Sequence, residues 1–151
     1  MYVIGDVHGR RDLLTQIHAR IDADKAAHRP GHPVEIYLGD YIDRGPDSAG
    51  VISQLVSRSR EVDAVFLRGN HEQLLLDFLD GEIDFDLWAG VGATATLLSY
   101  GVDPAILRRH VGSDVIRGIL QDSLPADHLV FLRGTELYAR LGPYVLVHGG
   151  V

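Results

Sequence analysis

The chain contains no cysteine, which excludes disulfides and thiolate metal ligands and fits a reducing compartment. Any metal it holds must therefore sit on oxygen and imidazole donors. Long apolar runs are missing too. None approaches the roughly 18 residues of a membrane span, and Met1 to Asp6 has no basic segment leading into an apolar stretch. A cytoplasmic protein with no membrane partner is the expectation. Basic charge is scarce: Lys and Arg number 14 against 21 Asp and Glu, a formal net charge of −7. No basic block stands out that would track a phosphodiester backbone, so nucleic acid is not an expected partner. A site that gathers divalent cations needs clustered carboxylates, and part of the acidic excess could be of that kind.

What is present suffices for one core. With 151 residues and 46% hydrophobic content, residues 1–151 read as a single domain or a large part of one. Tyr2 to Gly5 is a short apolar strand running into Asp6. Residues 11–28 form a helix in which Leu13, Ile17 and Ile21 recur at i, i+4 and i+8, and Arg29-Pro30-Gly31 stops it. Val34 to Leu38 is a second strand, again running into Gly-Asp. Pro46 to about Ser57 is a second helix, opened by its proline, and Val62 to Leu67 a third strand. Crossovers of this length imply right-handed βαβ units and a largely parallel sheet, whose ligands gather beyond the strands' carboxyl ends. Residues 72–132 read as mostly helical lid and packing, interrupted at Gly90-Val91-Gly92, with turns at Gly101 and Pro125. A hairpin turning at Gly142-Pro143 then runs into His148-Gly149-Gly150.

Four strand-end loops pair a hard or borderline metal ligand with glycine: Gly5-Asp6-Val7-His8-Gly9, Gly39-Asp40-Tyr41-Ile42-Asp43-Arg44-Gly45, Gly69-Asn70-His71-Glu72 and His148-Gly149-Gly150. Glycine lets the backbone turn sharply and come close to an ion or phosphate. Taken in order, the four loops resemble the signatures GDxHG, GDxxDRG, GNHE and HGG of the calcineurin-like metallophosphoesterase superfamily, and within it the serine/threonine protein phosphatases of the PPP type. The resemblance runs from residue 2 to the end. The stretch from Trp88 to Gly101 is similar to the compact bacterial and phage-type phosphatases.

The resemblance implies an α/β fold, specifically an α/β/β/α sandwich whose second sheet is represented here by the hairpin. It also implies a binuclear site of two divalent ions. Asp6 and His8 would hold the first metal, Asn70 and His148 the second, and Asp40 would bridge them. Such a mixed oxygen and nitrogen set suits Mn²⁺, the leading choice, or Fe or Zn²⁺, better than Ca²⁺. His71 would be the general acid, Asp43 would orient it, and Arg44, with Asn70, would bind the substrate phosphate. Glu72 would start the following helix, where its charge suits the dipole. His18, His28, His32, His110 and His128 match no motif and read as surface or packing residues; Trp88, Leu97, Leu98 and Tyr100 read as helical core.

Members of the superfamily continue past HGG with a phosphate-binding arginine and a further histidine on the second metal, neither of which follows here. The chain is therefore expected to be part of a longer one, with the C-terminal part of the fold missing. Asp43 stands where symmetrical diadenosine tetraphosphate hydrolases tend to carry alanine, which favours phosphoserine and phosphothreonine in proteins as substrates. Dinucleoside polyphosphates are the second enzymatic reading, and a metal-binding protein without catalysis is the third.

Overall fold

The computed structural model describes residues 1–29, 31–109 and 111–149. The helix stop at Pro30, His110 and Gly150 of the last motif lie outside them. Three strands, β1 (Tyr2–Ile4), β2 (Glu35–Tyr37) and β3 (Ala64–Phe66), form a parallel sheet in the order β1-β2-β3. The register pairs Val3 with Ile36 and Ile36 with Val65. Helices α1 (Arg11–His28) and α2 (Ser48–Arg58) supply the crossovers. The expected α/β class with parallel strands is what the chain forms.

Six helices follow: α3 (Asn70–Asp80), α4 (Phe85–Ala89), α5 (Ala93–Ser99), α6 (Pro104–Arg108), α7 (Ser113–Ser123) and α8 (Ala126–Arg133). Strands β4 (Tyr138–Leu141) and β5 (Tyr144–Val147) then pair antiparallel across a two-residue turn, where Gly142 takes a φ of 59° ahead of Pro143. No helix of the described residues is long and apolar enough to cross a membrane.

Side chains alternate across a strand. Glu35 and Tyr37 accordingly face α1 and α2, whereas Val65 shares a cleft with residues 136–141 of the hairpin. The helical side is organised by a buried charge. Glu35, fully buried, accepts hydrogen bonds from Arg58 Nε (3.0 Å), Lys25 Nζ (2.6 Å) and the Tyr37 hydroxyl (2.6 Å). The Tyr37 proton is thereby committed, so His18 Nε2–H donates to the Tyr37 oxygen at 2.8 Å and His18 Nδ1 accepts from Gln54 at 2.9 Å.

That bond sets the rotation of α1 and corrects the sequence expectation. The buried stripe is Leu14, His18 and Ile21, while Leu13 and Ile17 are 45% and 37% exposed. One residue is about 100° around a helix, so turning His18 toward Tyr37 carries Leu13 and Ile17 outward. A similar correction applies to Leu98, expected in the core but exposed, because the inward stripe of α5 is Ala93, Thr96 and Leu97. Helix α2 starts at Ser48 rather than Pro46, since the Asp47 side chain accepts from Gly50 N–H at 2.8 Å and caps it. His128 is buried between Ser53 (2.9 Å) and Tyr100 (3.0 Å), joining α8 to α2 and α5; His28 and His32 are exposed.

Candidate metal centre

Main-chain bonds bring the strand-end loops together. Val7 and His8 N–H both donate to Asp40 O at 2.9 Å, and Gly9 N–H to Tyr41 O at 2.8 Å. Two glycines permit this approach. A Cβ on Gly39, whose φ is 110°, would lie 2.4 Å from Gly69 N, and one on Gly45 would lie 2.0 Å from His8 O. Four non-glycine residues here hold positive φ: His8 (43°), Asp40 (54°), Asp43 (68°) and Arg44 (66°). Such a conformation costs of order 1–3 kcal/mol per residue and persists where the surroundings impose it.

Asp40, nearly inaccessible, stands at the centre. Its Oδ1 accepts from His71 N–H at 3.2 Å and lies 3.3 Å from His148 Nε2. Its Oδ2 is 3.7 Å from His8 Nε2 and 3.8 Å from His71 Nε2. Asp6, exposed at the end of β1, brings a carboxylate oxygen to 3.8 Å from His8 Nε2. Two donor groups share Asp40, namely His8–Asp40–His71 and Asp6–Asp40–His148, with the donor atoms in each group within 4.8 Å of one another. Asn70 is the exposed first residue of α3 and lines a cleft with His148, Gly69 and Arg68.

The second ring nitrogens are already committed. His8 Nδ1 bonds Ile42 O and His148 Nδ1 bonds Leu38 O, each at 2.9 Å. A carbonyl can only accept, so Nδ1 carries a proton and Nε2 is the nitrogen directed toward Asp40, the orientation that metal-ligating histidines require. The donor set of imidazole and carboxylate suits a borderline divalent ion. Arg44, exposed, donates to His8 Nε2 at 3.0 Å and His71 Nε2 at 3.1 Å, placing its guanidinium between the two rings.

His71 and Asp43 are both buried and bonded, His71 Nδ1–H to Asp43 Oδ2 at 2.7 Å. Asp43 Oδ2 also accepts from Trp88 Nε1 at 2.8 Å, and Oδ1 from the Thr96 hydroxyl at 2.5 Å. Sequence reasoning did not assign Trp88 or Thr96 to the site. The signal available was that the chain's single tryptophan lies in the Trp88–Gly101 stretch resembling bacterial phosphatases.

Glu72 lies in the first turn of α3 as expected, where it accepts from the N-cap Gly69, and it does more than serve the helix. It is fully buried, and its carboxylate accepts N–H bonds from Asp40 (2.8 Å), Tyr41 (2.8 Å) and Gly69 (3.0 Å). Burial raises its pKa, and the backbone bonds from Tyr41, Asp40 and Gly69 oppose that rise. Glu72 thus ties the loop after β2 to the start of α3.

A parallel α/β sheet carrying an imidazole and carboxylate cluster beyond its strand ends has the donor set of a divalent-metal centre. The chain belongs to the calcineurin-like phosphoesterase family, which matches residues 1–150. It is 38% identical over 77 residues to serine/threonine-protein phosphatase 1 of Salmonella typhimurium, a match covering 51% of this chain and 32% of that protein. It is 28% identical over 155 residues to a symmetrical bis(5'-nucleosyl)-tetraphosphatase of Acidovorax, covering 100% of this chain and 44% of that one. A crystal structure of a candidate diadenosine tetraphosphatase shares the fold, with a TM-score of 0.56 at 21% identity over 98% of this chain and 49% of that one. The chain thus spans less than half the length of each of these relatives.

Proposed function

We propose that the protein hydrolyses phosphomonoesters at a pair of divalent metal ions, Mn²⁺ first with Fe or Zn²⁺ as alternatives, and that its substrates are phosphoserine and phosphothreonine in cytoplasmic proteins. The observation that carries the reading is one buried carboxylate, Asp40, met by three imidazoles, with a buried Asp–His pair on its flank. Asp6 and His8 would hold one ion, Asn70 and His148 the other, and Asp40 both; Asp6, 3.8 Å from His8, also lies within reach of the donor on His148. The ions, when bound, would draw charge from the phosphate oxygens and acidify the attacking water.

The chain's own residues supply the rest. Arg44 presents two donors in a fixed fork, a geometry suited to binding phosphate oxygens bidentately, and Asn70 adds an amide at the cleft. His71 would act from Nε2, which here accepts from Arg44 at 3.1 Å; with Arg44 turned to the phosphate, that nitrogen is free to carry the proton delivered to the leaving oxygen. Asp43 fixes the ring's tautomer and orientation through Nδ1. Similarity to the Salmonella phosphatase and the carboxylate at Asp43 support protein substrates. Similarity over the whole chain to the Acidovorax tetraphosphatase favours a second reading, hydrolysis of dinucleoside polyphosphates.

The test is p-nitrophenyl phosphate hydrolysis with and without Mn²⁺, with Asp40→Asn as the blank, followed by a phosphothreonine peptide and diadenosine tetraphosphate. Metal-dependent turnover lost in Asp40→Asn, with the peptide preferred, is the expected result. Preference for the dinucleotide would replace the protein-phosphatase reading. One equivalent of bound metal with no turnover would leave a metal-binding protein.

A further inference from the structure

The segment from Trp88 to Thr96 is built onto the corner at Asp43 and Arg44 more closely than packing requires. Trp88 and Thr96 are fully buried, and both donate to the Asp43 carboxylate, Trp88 Nε1 to Oδ2 and Thr96 Oγ1 to Oδ1. Thr96 Oγ1 in turn accepts from Asp43 N–H at 2.9 Å and lies 3.0 Å from Ser48 Oγ. The backbone of Arg44 donates to Gly92 O at 3.3 Å. One short stretch therefore holds the side chain and the main chain of two consecutive residues at positive φ.

We infer that Trp88 and Thr96 are positioning residues for proton delivery, holding Asp43 so that its Oδ2 stays directed at His71 Nδ1–H. This rests on the reading of His71 as the general acid. The chemistry is specific. A carboxylate with two oxygens can rotate, and a rotated Asp43 would release the imidazole from the line it must keep toward the leaving oxygen. The Thr96 bond fixes Oδ1, and the indole shares Oδ2 with His71, so two donors besides the histidine determine the carboxylate plane. Packing alone would be served by any apolar residue at position 96 and by phenylalanine at 88, where Phe78 and Phe85 already stand around the indole.

The experiment compares a good and a poor leaving group. Trp88→Phe, Thr96→Val and Thr96→Ser, with His71→Asn as reference, are assayed on p-nitrophenyl phosphate and phenyl phosphate, after thermal melts confirm folding. Trp88→Phe and Thr96→Val should slow phenyl phosphate at least about tenfold more than p-nitrophenyl phosphate, in kcat rather than KM, since only the poorer leaving group needs the proton. Thr96→Ser should restore the parent ratio. By NMR the low-field His71 Nδ1–H resonance should move upfield in Trp88→Phe. Equal slowing of both substrates, or an unmoved resonance, with His71→Asn still selective, would overturn the inference alone. A His71→Asn enzyme that is not selective would overturn the general-acid reading and the inference with it. Should Trp88→Phe fail to fold, the contrast between valine and serine at position 96 decides alone.

Discussion

Replacing Glu72 with Gln separates two accounts of one carboxylate. Were it only a charge at the start of α3, its removal would cost about 0.3–1 kcal/mol. The structure assigns it more. Oε2 receives Asp40 and Gly69 N–H, and Oε1 receives Tyr41 N–H at 2.8 Å with Ile42 N–H at 3.4 Å. Glutamine keeps one oxygen and turns an NH₂ toward the other pair of donors, so two bonds are lost whichever way the amide sits. At about 1.5–3 kcal/mol for each bond to a charged acceptor, the loss is roughly 3–6 kcal/mol. A neutral amide is cheaper to bury than the carboxylate, whose pKa burial already raises, and that returns ~1 kcal/mol or more. A net destabilisation of about 2–4 kcal/mol remains, and at roughly 2–4 °C per kcal/mol for a chain of this size the thermal midpoint falls by about 5–15 °C. Urea denaturation measures the first figure and calorimetry the second. Metal affinity should weaken in parallel, because the Asp40 backbone is among the groups released. A loss below about 1 kcal/mol with unchanged affinity would refute the tie between the loops.

Three further outcomes follow from the same geometry. Glu35 is buried, which alone would raise its pKa, yet bonds from Arg58, Lys25 and Tyr37 carry it from 4.5 down to about 2; the folded value is below the unfolded one, so its stabilisation is complete above pH 4.5 and is lost as pH falls toward 2. The shift corresponds to ~3 kcal/mol, and acid titrations of stability for the parent and Glu35→Gln should converge over that window rather than run parallel. Asp40→Asn should remove most bound metal, read by calorimetry or elemental analysis, while leaving the far-ultraviolet spectrum intact. Arg44→Ala should weaken inhibition by inorganic phosphate about tenfold or more and leave metal content unchanged; an equal loss of both would end its assignment as a phosphate clamp.

Much of this arrangement is legible in the sequence. Apolar runs ending in Gly-Asp mark β1 and β2, and the motif residues Asp6, His8, Asp40, Asp43, His71 and His148 meet in space because each lies just beyond a strand, His71 at the start of α3, in a fold that gathers strand ends. The rotation of α1 was not legible. Leu13 and Ile17 offer a more hydrophobic stripe than His18, and only the Tyr37 hydroxyl, committed to Glu35, explains why the histidine turns inward. Glu72 was legible only in part: its position predicts the helix start it serves through Gly69 N–H, but its other partners come from a loop some thirty residues earlier. Trp88 and Thr96 show the same limit, since a buried indole in a helix reads as core until the acceptor of its N–H is known.

The acidic residues of this chain show where cations belong. Glu35 is matched by Arg58 and Lys25, Glu72 by backbone N–H groups, and Asp43 by His71, Trp88 and Thr96. Asp6 and Asp40 are different, because among the described residues their charged-group contacts are to imidazoles alone, two of which, on His8 and His148, carry their proton on the far nitrogen. A neutral ring turns a lone pair, not a positive charge, toward a carboxylate. Negative charge and lone pairs thus converge on one point where the fold holds backbone at positive φ to bring them together. Repulsion there is relieved by positive charge, which Arg44 brings to its edge and divalent ions would bring to its centre. Chelators should therefore lower the thermal midpoint of the metal-loaded protein, and metal-free Asp40→Asn should melt above the metal-free parent, because the repulsion has been removed with the ligand.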